Sequence, residues 1–206
     1  MKIRCLPSGP LAVNTYLVSD PESNKGFIVD PGGFDKRMVD LINQETIEIV
    51  YIVLTHSHYD HIGGVPEYKA LFPQSKIVMS AAEMEFFKDE NGAISSHEMG
   101  VYVSFKPDVL VHEGDMLTVG NMNYRIVITP GHTPGGMCLI GDGVVFSGDT
   151  LFRASIGRTD FTGGSYEQIC DAIHRKLFVL PDETHVLPGH MGDTTIGFEK
   201  RNNPFV

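Results

Sequence analysis

The order of apolar and polar positions predicts short strands and helices in two successive runs. Residues 2–6, 14–19 and 26–30 are brief, β-branched or aromatic stretches bounded by Pro and Gly, as strands are. Asp30-Pro31-Gly32-Gly33 then predicts a turn. Across residues 35–45, Met38, Leu41 and Ile42 recur at helical spacing. Residues 47–54 are almost continuously apolar, the pattern of a strand covered on both faces. A polar, histidine-rich loop follows at 55–64, then a helix at 66–72, a strand at 77–80 and a helix at 81–88. Residues 89–107 are polar and glycine-containing, and read as a long surface excursion. The β pattern resumes at 109–112, 116–119, 124–129, 136–140 and 144–147. A helix at 166–178, a strand at 184–187 and a short helix at 195–201 follow.

Sheet and helix, then sheet and helix again, are satisfied by two β-sheets packed face to face with helices outside. No Pro/Ser linker, low-complexity tract or short repeat divides the chain, so residues 1–206 read as one α/β domain. No stretch approaches the roughly 20 apolar residues that span a bilayer, and the first residues lack the apolar core of a signal peptide. A net charge of −10, with no run of Lys or Arg, excludes nonspecific nucleic-acid binding. Nor does any basic amphipathic segment suggest a membrane surface. Cys5, Cys138 and Cys170 are odd in number and far apart. They suggest no disulfide framework, read as buried small hydrophobes, and place the chain in a reducing cytoplasm.

The chemistry concentrates after the apolar strand. Thr55-His56-Ser57-His58-Tyr59-Asp60-His61 places four metal-ligand side chains within six residues. His132 in Pro130-Gly131-His132, Asp149 in Ser147-Gly148-Asp149 and His190 in Pro188-Gly189-His190 share that context, each just past an apolar run. Singly, each reads as a turn residue; together they read as one pocket at the ends of several strands. His97, His112, His174 and His185 share no such setting and read as surface or core residues.

H-x-H-x-D-H followed by distant His, Asp and His in Gly-flanked turns resembles the metallo-β-lactamase superfamily. Ser155-Ile156-Gly157-Arg158-Thr159-Asp160-Phe161 and the segment Gly197 to Phe205 are similar to short, single-domain glyoxalase II-like (hydroxyacylglutathione hydrolase-like) members. The resemblance implies a four-layer αββα sandwich, two mixed β-sheets with helices on both outer faces. It implies two divalent metal ions, with His56, His58 and His132 on one, Asp60, His61 and His190 on the other, and Asp149 with a hydroxide bridging both. Zinc is the default for these nitrogen and oxygen ligands, and iron and manganese also suit them. His58 stands where flavodiiron-type members carry an acidic residue, and the extra nucleic-acid-binding features of RNA-processing relatives are missing.

Two such ions make hydroxide available at neutral pH, with Asp60 orienting it toward an acyl carbonyl. A thiolate leaves with little acid assistance, so the expected substrate is a small anionic thioester of the S-acylglutathione type. Asp30 reads either as a support beneath the ligands or as an Asp-Pro-Gly turn residue. Arg153 and Arg158 are candidates to face substrate carboxylates; Arg158 equally reads as an anchor paired with Asp160. The resemblance does not extend to the C-terminal helical domain with which full-length glyoxalase II enzymes bind much of glutathione, so a lactone or another ester is a further candidate. Rival readings are a persulfide dioxygenase with a single iron and a protein with purely structural metals. Nothing in the pattern sets the oligomeric state.

Overall fold

Alternation at every second residue sends each central strand into two cores. The computed structural model describes residues 1–98 and 101–206. The first half runs β1 (Lys2–Ser8), β2 (Val13–Asp20), β3 (Lys25–Val29), α1 (Lys36–Gln44), β4 (Glu48–Val53), α2 (Tyr59–Ile62), α3 (Val65–Leu71), β5 (Lys76–Ser80) and α4 (Ala81–Phe87). Strands β6 (Ile94–Glu98), β7 (Val101–Phe105), β8 (Val109–Val111), β9 (Met116–Val119), β10 (Met122–Ile128), β11 (Met137–Gly141) and β12 (Val144–Gly148) follow. The chain continues through β13 (Leu151–Phe152), β14 (Ser155–Ile156), α5 (Tyr166–Ala172), β15 (His185–Pro188), β16 (Thr194–Thr195) and α6 (Ile196–Asn202).

These residues form two six-stranded mixed sheets, ordered β1-β2-β3-β4-β5-β8 and β16-β15-β12-β11-β10-β9. In β3, Phe27 and Val29 enter the core between the sheets, while Ile28 packs outward under the first-half helices. In β12, Val144 and Phe146 face the same central core and Val145 faces the second-half helices. Phe27 meets Tyr124 edge-on at 5.1 Å, and Tyr16 meets Phe146 at 5.3 Å. Each such pair adds about 0.5–1.5 kcal/mol to the burial of its rings. Met38 and Ile42 of α1 cover the first sheet, and Ile169 of α5 with Ile196 of α6 covers the second. The result is the four-layer αββα sandwich.

Asp35 caps α1 by accepting from the Arg37 N–H at 2.8 Å, and Ser165 caps α5 in the same way from Gln168. The helix expected over 166–178 divides into α5 and a π-helical turn, Ile173–Leu177. The expected excursion at 89–107 is instead largely a strand pair: β6 and β7 run antiparallel with Ile94 opposite Phe105. Ile94 and Val103 are buried in the outer core of the first sheet, which holds this polar stretch in place. Met99 and Gly100 lie outside the described residues. The cysteines also depart from expectation: Cys138 is buried, Cys170 is half-buried and Cys5 is exposed. Among the described residues no helix is long and apolar enough to cross a membrane.

Candidate metal centre

Parallel neighbours end together, and the candidate residues follow those ends. Asp30 follows β3 and residues 55–61 follow β4; these strands pair in parallel. Asp149 follows β12 and His190 follows β15, which also pair in parallel, while His132 lies in the loop from β10 to β11. The sheets are tied at this edge. The Met137 N–H donates to the Thr55 carbonyl at 2.9 Å, and the Tyr16 hydroxyl donates to the Pro188 carbonyl at 2.7 Å.

The structure brings all seven proposed ligands to this edge, in two neighbouring groups with Asp149 between them. His56, His58 and His132 have ligand atoms within 4.8 Å of one another, as do Asp60, His61 and His190. Asp149 stands between the groups: Oδ1 is 3.3 Å from His61 Nε2, and Oδ2 is 3.5 Å from His132 Nε2 and 3.7 Å from His190 Nε2. Asp60 Oδ2 is 3.2 Å from His190 Nε2. Asp30, His56 and His61 form a third close group. Both Asp30 oxygens are already engaged, however, accepting from the Thr55 N–H, the Thr55 hydroxyl and His61 Nδ1 at 2.7, 2.6 and 2.9 Å.

Those contacts orient the rings. The Thr55 hydroxyl donates to Asp30, so its oxygen accepts from His56 Nδ1 at 3.1 Å. His132 Nδ1 must donate to the Arg158 carbonyl at 2.7 Å, because a carbonyl only accepts. Both rings therefore turn an Nε2 lone pair into the site. Glycine permits the crowding: a Cβ at Gly189 would strike Asp149 and His61, and Gly148 holds φ +48° against Thr55.

Electrostatics follow burial and proximity. Burial, then the charge of neighbouring imidazoles, holds His56 well below the ordinary histidine value and His58 at about 4. Burial also lowers His132, against the pull of Asp149. His61 goes the other way: burial lowers it, but Asp149 and Asp30 together carry it well above. For Asp149 burial works upward, and the neighbouring His61, His132 and His190 outweigh it, leaving about 2. Asp60 is likewise lowered because His190 and His61 overcome its burial.

The residues fit divalent metal. His56 Nε2 and Asp149 Oδ1 are buried without a hydrogen-bond partner among the described residues. An unsatisfied buried acceptor costs about 1–3 kcal/mol. Two acceptors aimed into one nitrogen- and oxygen-lined space are satisfied by a cation of the zinc, iron or manganese type.

Above the site opens a cavity of about 830 Å³, lined by His58, Asp60, His132, Asp149 and His190 together with Phe87, Phe161 and Arg158. Arg158 is held by Asp160 through two bonds of 2.9 and 2.7 Å, with its guanidinium 4.2 Å above the Phe161 ring. Arg153 does not line this cavity: it donates to the Asp193 carbonyl at 3.2 Å and lies over Phe198. His97, His112, His174 and His185 are exposed and away from the site. Glu83 was invisible to sequence reasoning. Buried in α4, its carboxylate accepts from the N–H and hydroxyl of Ser57, the Thr133 hydroxyl and the Gly135 N–H at 2.7–3.0 Å. It thereby joins the loop of His56 and His58 to the loop of His132. Its one signal is the Ser80-to-Glu83 capping spacing, which points to a local role; Ser80 does cap Glu83 N–H, but the Glu side chain turns away to the two loops.

The fold and this edge of histidines and aspartates define a class: the chain belongs to the metallo-beta-lactamase superfamily, whose sequence profile matches residues 8–190. It is 36% identical to the probable metallo-hydrolase YqgX of Bacillus subtilis, covering 100% of this chain and 98% of that protein. It is also 36% identical to the hydroxyacylglutathione hydrolase GloC of Haemophilus influenzae, with the same coverage. Among solved structures it is similar to the BLEG-1 B3 metallo-beta-lactamase, at TM-score 0.89 and 33% identity over 99% of both chains. It is similar as well to TTHA1623 in a di-iron-bound form, at TM-score 0.84 and 31% identity over 98% of this chain and 100% of that one.

Proposed function

We propose that residues 1–206 act as one domain, a dinuclear metal-dependent hydrolase of small thioesters. The observation that carries this reading is Asp149, placed within 3.3–3.7 Å of His61, His132 and His190 from both ligand groups. Bound there, two divalent ions would supply an acidified water and a polarising charge for a carbonyl oxygen. His56, His58 and His132 would hold one, Asp60, His61 and His190 the other, and Asp149 both. Asp60 would also accept a hydrogen bond from the attacking water and set its direction. Asp30 keeps His61 turned toward the site through its Nδ1. A thiolate leaving group, near pKa 8.5 as a free thiol, departs with little acid assistance. GloC's name supports S-acylglutathione as the first substrate to test.

The metals we favour are zinc ions, and the di-iron form of TTHA1623 names iron as the alternative for metal analysis to separate. The test combines metal content with two assays. Saturation at two ions per chain is expected, with thiol release from S-lactoylglutathione and no oxygen uptake with glutathione persulfide. Oxygen consumption with the persulfide and no thiol release would replace the hydrolase with a dioxygenase.

A further inference from the structure

The wall of the cavity is apolar where a glutathione site would be charged. We infer that the site selects substrates by an apolar acyl chain on the reacting carbonyl, an inference that rests on the hydrolase reading above. Leu11, Phe87, Phe152, Ile156, Phe161 and Met191 form most of the surface beyond the ligands. The rings abut both ligand groups: Phe161 and Phe87 stand edge-on to His58 at 5.3 and 6.4 Å, and Phe152 to His190 at 6.0 Å. A chain leaving a carbonyl held between those groups runs directly onto aromatic surface. At the mouth Leu11, Phe161 and Met191 are 48%, 42% and 58% exposed. Clustered exposed apolar side chains beside a site mark a surface that a ligand covers.

Charge points the same way. Glutathione carries two carboxylates and one ammonium group at neutral pH. Arg158 is the one Lys or Arg among the described residues lining the cavity, and Asp160 already engages it through both oxygens. That pair is exposed, so exchanging Asp160 for a substrate carboxylate gains little. The second carboxylate meets no further Lys or Arg among the described residues lining the cavity. The departing thiol must reach solvent through the mouth, which leaves the deeper wall of Phe87, Phe152 and Ile156 to the acyl group. A cavity of about 830 Å³ holds far more than a lactoyl group.

The experiment uses metal-loaded protein and uncharged N-acetylcysteamine thioesters carrying acetyl, butanoyl, hexanoyl and octanoyl groups, beside S-lactoylglutathione. kcat/KM is expected to rise about two- to fourfold per added methylene, fourfold being complete transfer of a methylene out of water. Phe161→Ser should flatten that slope, whereas Val179→Ser, a more exposed apolar position outside the cavity, should keep it. A second readout needs no turnover. S-alkyl N-acetylcysteamine thioethers should bind metal-free protein in calorimetry with affinity that increases with chain length. Hydrolysis of all thioesters with no chain-length dependence, S-lactoylglutathione being preferred, overturns this inference and leaves the hydrolase reading intact. Absence of any hydrolysis, with no chain-length dependence in thioether binding, overturns both.

Discussion

At Asp30 three donors meet one carboxylate: the Thr55 N–H, the Thr55 hydroxyl and His61 Nδ1. The residue sits at φ +47°, a left-handed conformation that Asp tolerates better than most side chains. It is buried, so an oxygen replaced there has no water to take its place. In Asp30→Asn an amide N–H₂ would face one of these donors, and either His61 or Thr55 would lose its orientation. Metal affinity is expected to fall about 10- to 100-fold, the usual loss when the partner of a ligating histidine is removed. Competition against a chelator of known affinity measures it. Unchanged affinity would assign Asp30 to the turn alone. Asp149 makes the complementary case, because it reaches both ligand groups and Asp149→Ala should empty both positions in the same titration.

At the scale of the element, α4 does more than cover a sheet. Through Glu83 it clamps two loops that come from different sheets, residues 55–61 and 129–136. Burial pushes this carboxyl above its ordinary value, while the four hydrogen bonds pull it back by favouring the ionised form. Glu83→Ala leaves those donors without an acceptor in a buried position. The expected cost is about 2–4 kcal/mol, set by the unsatisfied groups rather than by the lost bonds. Urea unfolding of metal-free protein checks it, and a loss below about 0.5 kcal/mol would show that the loops are held by other contacts. Helix α6 has a parallel device: buried Glu199 accepts from Thr194, the Ala154 N–H and Asn203, binding β16 and the β13–β14 turn to the helix.

For the molecule as a whole, the site is a seam. His56, His58, Asp60 and His61 lie just past a strand of the first sheet, while His132, Asp149 and His190 lie just past strands of the second. Ions shared between them would cross-link the two halves of the sandwich and bind the folded state alone. At a free metal concentration 100 times Kd, one such site stabilises by about 2.7 kcal/mol. For a chain of this size that raises Tm by roughly 5–10 °C. Thermal melts with zinc and with excess chelator test the claim; a difference under about 1 °C would remove the metals from the seam.

What the sequence by itself determined is whatever a local pattern can carry. Short β-branched and apolar runs bounded by Pro and Gly marked the strands, Met38 and Ile42 marked the buried face of α1, and seven His and Asp residues stood just past strand ends. Strand ends in a layered fold lie along one edge, so the position of these residues along the chain already placed them near one another. The tertiary structure alone decided the pairings between distant residues. Asp30 meets Thr55 and His61 because β3 and β4 run in parallel. Glu83 reaches Ser57 and Thr133 because the start of α4 lies beside both loops, against its local capping signal. The polar stretch around Ile94 became a strand pair because two of its side chains found an apolar core to fill. The cavity wall gathers Leu11, Phe87, Phe152, Phe161 and Met191 from separate loops and elements. No periodicity links those positions, and only the packing of the chain brings them to one surface.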